Sequence, residues 1–161
     1  MKELMTAEAK AFVLEKLIPF INREQGRGFT MEHWKSDFRV GSVLEFDGVP
    51  RKIPDCGTVA CIGGSIEVLR RNNYPDRSEA SISETIGLNK GEGEGLFYYW
   101  ELSEDDSRVE YQWPVSFQKK YANASTPRAK AKVACDLLRV VVKTNGECLK
   151  NPAYVAPQAG K

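Results

Sequence analysis

Apolar residues recur along this chain mostly with a helical period. Over Ala7 to Ile21, the residues Ala9, Val13, Leu17 and Phe20, flanked by Leu14, Ile18 and Ile21, make one broad apolar face. Thr6 stands at the N-cap position and Glu8 sits near the positive end of that helix. Pro19 breaks the pattern: it has no N–H and its ring crowds the preceding turn, so the helix should kink or end near Ile18. The clearest start lies late in the chain, at Thr126-Pro127, a capping hydroxyl followed by a residue whose φ is already helical. Ala131, Ala134, Leu137, Leu138, Val141 and Val142 then face inward, the exposed side is basic, and Asn145-Gly146 ends the helix.

Between these two helices the pattern changes more than once. Gly26 and Gly28 mark a loop, after which Phe29, Met31 and Trp34 are placed to pack on the helical core. From Phe38 to Ile53 the signals are β-like, with Val43 to Phe46 and Val49 to Ile53 flanking Asp47-Gly48, a hairpin turn signal. Pro50 confines the second arm to an edge. A central helix is then expected, capped by Asp55 or Thr58, with Val59, Ile62, Ile66 and Leu69 on one face and an end near Arg71. Ser78 can cap a short helix through Ile86 that Gly87 stops, and a second covers Lys90 to Tyr99. Gly91, Gly93 and Gly95 weaken that second helix, so packing of Leu96, Phe97 and Tyr98 must hold it. The alternation with glutamate is not a nucleotide-binding glycine pattern. Ser103 to Arg108 reads as an acidic turn, and Pro114 opens a further helix. The fold class that follows is mainly α (α+β): a compact helical domain with a small β-hairpin before the central helix. Residues 1–150 are expected as a single globular domain and 151–161 as a flexible tail.

Composition and charge narrow the function classes. The 161 residues are 42% hydrophobic and 28% charged, a globular balance. With 23 basic and 22 acidic residues the net charge is +1, which provides no global footprint for nucleic acid or an anionic membrane. Basic clusters at Arg70-Arg71, Lys119-Lys120 and Arg128 to Lys132 have near-matching acids and read as solvated faces. No stretch has the length and apolarity of a signal peptide or a membrane span, and four cysteines without a leader point to a reducing cytoplasm.

The stretch Asp55 to Leu69 concentrates the candidate chemistry. Cys56 stands at the expected helix start, where free amides favour thiolate over thiol. A nucleophilic Cys56 needs a base, and the only histidine is His33, upstream. A metal site would draw on Cys56, Cys61 and His33, a set one ligand short of a structural zinc site. The plainer reading makes both cysteines buried packing residues. Gly63 and Gly64 each cost about 1 kcal/mol of helix stability relative to alanine, which a close helix crossing or a ligand would offset. Tyr111, Trp113, Phe117 and Tyr121 read as core; with Trp34 and Trp100 they can instead line a pocket for a flat ligand.

Phe29-Thr-Met31-x-x-Trp34, then Cys56-Gly-Thr-Val-Ala-Cys61-Ile-Gly-Gly64, then Ile86-Gly-Leu88 and Leu96-Phe97-Tyr98 carry a resemblance. The chain resembles a group of small uncharacterised proteins of bacteria and their phages that share FxMxxW, CGTxACIAG-type, LGL and LFY segments and a closing helix opened by Thr-Pro. The likeness spans roughly Ala7 to Thr144; here Gly-Ser stands where the group has Gly-Trp or Gly-His, and a longer insert precedes Cys56. It implies fold unity and a phage or bacterial origin, with no implied mechanism. Asp55-Cys56-Gly57 is also similar, over about fifteen residues, to the nucleophile segment of papain-like cysteine peptidases. Bacteriocin-processing members have their histidine downstream of the cysteine, and no histidine follows Cys56, so that activity does not carry over.

The expectation is therefore a small cytoplasmic binding or regulatory protein that sequesters a small anionic, nucleotide-like ligand or contacts a host protein, without catalysis or cofactor. The ligand site is expected at Cys56, Gly57, Thr58, Val59 and Ala60, whose amides and Thr58 hydroxyl would hold an anion, with Trp34 and Trp100 over an attached ring. The alternatives are a cysteine-dependent hydrolase or transferase with Cys56 and His33, and a zinc-stabilised module with Cys56, Cys61 and His33. A membrane partner is not expected, DNA ranks last among partners, and homo-oligomerisation stays open.

Overall fold

The computed structural model describes residues 3–31, 35–37, 43–46, 49–52, 58–70, 79–101 and 107–158. The fold is mainly helical. Its buried apolar residues form one cluster to which the first helical segment, the central helix and the last helix all contribute.

The Thr6 hydroxyl accepts the Ala9 amide at 3.1 Å and starts α1 (Ala7–Phe12). The helix neither ends near Ile18 nor breaks at Pro19. It widens into a π turn at Val13–Leu17 and resumes as α2 (Ile18–Ile21) with Pro19 in its first turn. In the π turn the Ile18 amide donates back to Val13. The longer register gives the ladder room for a proline that has no donor of its own. Val13, Leu17, Ile18 and Ile21 point into the core, while Leu14 is 44% exposed and Phe20 half-buried. The chain turns through a 3-10 segment, Arg23–Gly26, in which Glu24, Gln25 and Gly26 all have positive φ. Gly26 is required there twice over, by its φ of 81° and because a Cβ would lie 2.7 Å from Ala131 Cβ and Pro127 O. Phe29 and Met31 are buried as expected, and the Met31 amide donates to Tyr121 Oη at 3.1 Å.

Among the described residues four short strands follow. β1 (Lys35–Asp37) pairs antiparallel with β4 (Thr58–Ala60), with Lys35 opposite Ala60. β2 (Val43–Phe46) pairs antiparallel with β3 (Val49–Lys52), with Phe46 opposite Val49. The Asp47-Gly48 turn lies outside the described residues, so a closed hairpin is not seen as a unit.

The central helix α3 (Ile62–Arg70) starts later than its periodicity suggests. Thr58 and Val59, β-branched and at home in extended backbone, belong to β4. Ile62 and Ile66 are fully buried, and so are Gly63, Gly64 and Ser65 between them. Arg70 is also buried, which corrects its reading as part of a solvated basic cluster.

In α4 (Glu79–Thr85) Ile82 and Ser83 are buried. The helix closes with Gly87 N–H on Glu84 O and Leu88 N–H on Ser83 O, Gly87 having φ 72°. That double bond is the glycine-terminated stop expected at Gly87. α5 (Lys90–Tyr98) is held by a capping box: Asn89 Oδ1 accepts the Glu92 amide and Glu92 accepts the Asn89 amide. Leu96 and Phe97 are buried, but Tyr98 is 45% exposed and does not anchor the helix as expected.

α6 (Val115–Asn123) begins just after Pro114 and packs on α7 (Pro127–Thr144). All six inward positions expected on α7 are buried, and Asn145, with φ 51°, terminates it. The following chain is not a loose tail from Asn151 onward. Gln112 N–H donates to Leu149 O, Asn151 N–H to Glu110 O and Val155 N–H to Ser107 O, so residues 149–155 lie along residues 107–112. The buried Asn151 adds its side-chain amide to Val109 O at 2.8 Å, a long-range bond that composition cannot signal. Among the described residues no helix is long and apolar enough to cross a membrane.

Candidate functional site

The cysteine at the start of the central helix is Cys61, not Cys56. Its Sγ accepts the Gly64 amide at 3.4 Å and its carbonyl accepts both the amide and the hydroxyl of Ser65, at 2.8 and 2.7 Å. Cys61 therefore does the work of an N-cap. Burial pushes its thiol up to about 11 from 9.0, an effect that the amides of Gly64 and Gly63 only partly offset. Buried and hydrogen-bonded, the Cys61 thiol sits as a packing group and not as the thiolate a nucleophile needs. Cys135 is similar: burial raises its thiol to about 11, and its Sγ lies 3.8 Å from Ile18 O. Among the described residues no three histidine, cysteine or acidic side chains are placed to hold a metal.

Of the expected site residues, Cys56, Gly57, His33 and Trp34 lie outside the described residues. Thr58, Val59 and Ala60 are in β4, paired with β1, so their amides do not form the free first turn of a helix. Trp100 is half-buried, its ring in edge contact with Tyr121 at 5.0 Å, while Trp113 meets the other side of the group with its centroid 5.6 Å from that of Tyr121. Trp113 Nε1 donates to Leu96 O at 2.7 Å. These rings pack against one another, and Trp113 and Tyr121 satisfy their polar atoms internally, as core aromatics do.

Two clefts lie elsewhere. One, of about 630 Å³, opens at the start of α7 and is lined by Asn22, Gln25, Thr126, Arg128, Ala129 and Lys132. Its position follows from the left-handed turn at Glu24 to Gly26, which sets Gln25 beside the first turns of α7. Thr126 and Ala129 of the first turn of this 18-residue helix line the cleft, with the Ala129 amide on Thr126 Oγ1 at 3.1 Å and the Lys130 amide on Thr126 O at 3.0 Å. Arg128 and Lys132 add cationic heads on an exposed surface, so attraction for an anion there is sensitive to salt. The second cleft, of about 390 Å³, is bordered by Glu3, Glu84 and Glu92 together with Thr6 and Asn89. Thr6, Asn89 and Glu92 are already engaged in capping, which accounts for their presence.

The capping signal at Thr126-Pro127 and the basic residues behind it were readable in the sequence. Asn22 and Gln25 had no signal, because only the long-range contact of Gly26 with Ala131 brings them to the cleft. Comparison of the chain with protein-family models, with curated proteins and with solved structures finds no match in any of the three.

Proposed function

We propose that this is a small cytoplasmic binding and regulatory protein of phage or bacterial origin that sequesters a small anionic, nucleotide-like ligand without turning it over. The observation that carries this reading is the cleft at the start of α7, where the exposed Arg128 and Lys132 line the same space. The anion site moves with it, from the Cys56 to Ala60 stretch to the first turn of α7, because Thr58 to Ala60 are extended. The likeness to a group of bacterial and phage proteins supports that origin, and a phage origin would suit interference with a host pathway. The same reading takes β2 and β3 as the arms of a hairpin closed by Asp47-Gly48.

Isothermal titration with nucleoside mono-, di- and triphosphates at low salt tests it. Saturable binding that disappears in Arg128→Glu/Lys132→Glu, at unchanged melting temperature, is the expected result. Absence of binding by every one of these anions overturns the ligand reading and leaves contact with a host protein in its place. Native mass spectrometry of protein purified from cells adds an independent readout, since a retained nucleotide would appear as mass lost on denaturation.

A further inference from the structure

The cationic surface continues well beyond the cleft. Arg128, Lys132, Asp136, Arg139 and Lys143 follow at spacings of four, four, three and four residues, which sets them in one row along α7. At about 1.5 Å per residue the row is roughly 22 Å long. Its four cations are all exposed, the Lys132 side chain by 74% and that of Arg139 by 53%. Asp136 is the single carboxylate of the row and is held between Lys132 at 2.5 Å and Arg139 at 2.9 Å.

The near-zero net charge hides this surface. Residues 115–150 contain eight basic and two acidic residues, whereas residues 79–110 contain nine acidic and two basic. The two regions cancel in the total. The chemistry of the surface also discriminates between partners. Protein interfaces centre on apolar and aromatic groups and are poor in lysine. The exposed large hydrophobics among the described residues are Leu4, Leu14, Tyr98 and Val155, none of which is on α6 or α7. Spaced, solvated cations without an apolar centre are what a phosphodiester backbone requires.

We propose that the exposed edge of α7 docks the phosphate backbone of a nucleic acid without reading its bases. The inference rests on the anion-binding reading only at the Arg128 end; Arg139 and Lys143 lie outside that cleft.

Fluorescence anisotropy with a labelled 20-base-pair DNA duplex and a labelled single-stranded RNA, from 50 to 200 mM salt, tests the proposal and separates the two sources of phosphate. If the four cations of the row each neutralise a phosphate of duplex DNA, affinity should fall roughly a hundredfold over that range. Arg139→Glu/Lys143→Glu should weaken binding at least tenfold and flatten the salt slope by about two, one per lost contact, while nucleoside phosphate binding and melting temperature stay unchanged. No saturable binding by either probe at 50 mM salt overturns the proposal, as does binding indifferent to Arg139→Glu/Lys143→Glu. If nucleoside phosphates still bind in those cases, the cleft reading survives alone; if they do not, both fall.

Discussion

Ser83 of α4 occupies the space that a side chain at Gly93 of α5 would need: a Cβ on Gly93 would lie 1.8 Å from Ser83 Oγ and 2.6 Å from Ser83 Cβ. This contact explains a glycine in the interior of a short helix, where it costs about 1 kcal/mol relative to alanine. Gly93→Ala should destabilise the protein by about 2–3 kcal/mol, because a fully buried Ser83 cannot yield without moving α4. Gly91→Ala is the control. Its Cβ would meet the half-buried Tyr111 ring at 3.2 Å, and the net change should stay within about 1 kcal/mol as helix propensity compensates. Urea unfolding of both variants decides it; equal midpoints would mean that α4 and α5 do not approach at Gly93.

The Cys61 thiol, raised by burial to about 11, makes stability depend on alkaline pH. In the unfolded chain the thiol ionises near 9.0, whereas in the folded protein it resists ionisation. Its contribution is therefore complete below pH 9 and is lost as pH rises through 9 to 11. Two pKa units correspond to about 2–3 kcal/mol. The fall between pH 8.5 and 11 should be smaller by that order in Cys61→Ala than in the parent; parallel curves would contradict the assignment.

The buried thiols should also differ from Cys148 in reactivity. Iodoacetamide at pH 8 should leave Cys61 and Cys135 unmodified in the native protein and, of the three cysteines among the described residues, label the half-buried Cys148 first. Peptide mapping after alkylation reads this directly, and rapid labelling of Cys61 would show that the start of α3 is open.

Trp113 is fully buried and donates from Nε1 to Leu96 O at 2.7 Å. Trp113→Phe removes the donor and leaves a void beside Tyr121, so a loss of about 2–4 kcal/mol is expected. Trp100→Phe, at a half-buried site, should cost clearly less. Thermal unfolding of the two variants gives the comparison.

Asn151 ties the C-terminal segment to Val109 through a 2.8 Å side-chain bond and to Glu110 through its amide. Asn151→Ala should cost about 1–3 kcal/mol, and truncation after Lys150 should lower stability further. Unchanged melting of the truncated chain would restore the picture of a detached tail.

Features set by neighbours within one helical turn were legible. The caps at Thr6 and Thr126, the glycine stop at Gly87 and the inward face of α7 each depend on residues three or four apart, and each stands where the pattern placed it. The basic outer face of α7 was legible for the same reason, since the inward face determines it. The start of α3 was misplaced because Val59 continues the helical apolar stripe while pairing with β1 sets its backbone as strand. Periodicity does not distinguish the two over so few residues. Pro19 argued for a kink or an end near Ile18; the helix does not end there but is distorted into a π turn just before the proline, and nothing local specifies a π turn.

The sequence by itself thus determined the helical class, the caps and which side of α7 meets solvent, all through short-range hydrogen bonds and apolar spacing. Only the tertiary structure decided that Cys61 caps the central helix as a protonated thiol, that Gln25 and Arg128 border one cleft, and that Asn151 belongs to the fold. Those outcomes depend on contacts between residues far apart in the chain, such as Gly26 with Ala131 and Asn151 with Val109, and on the desolvation that packing imposes.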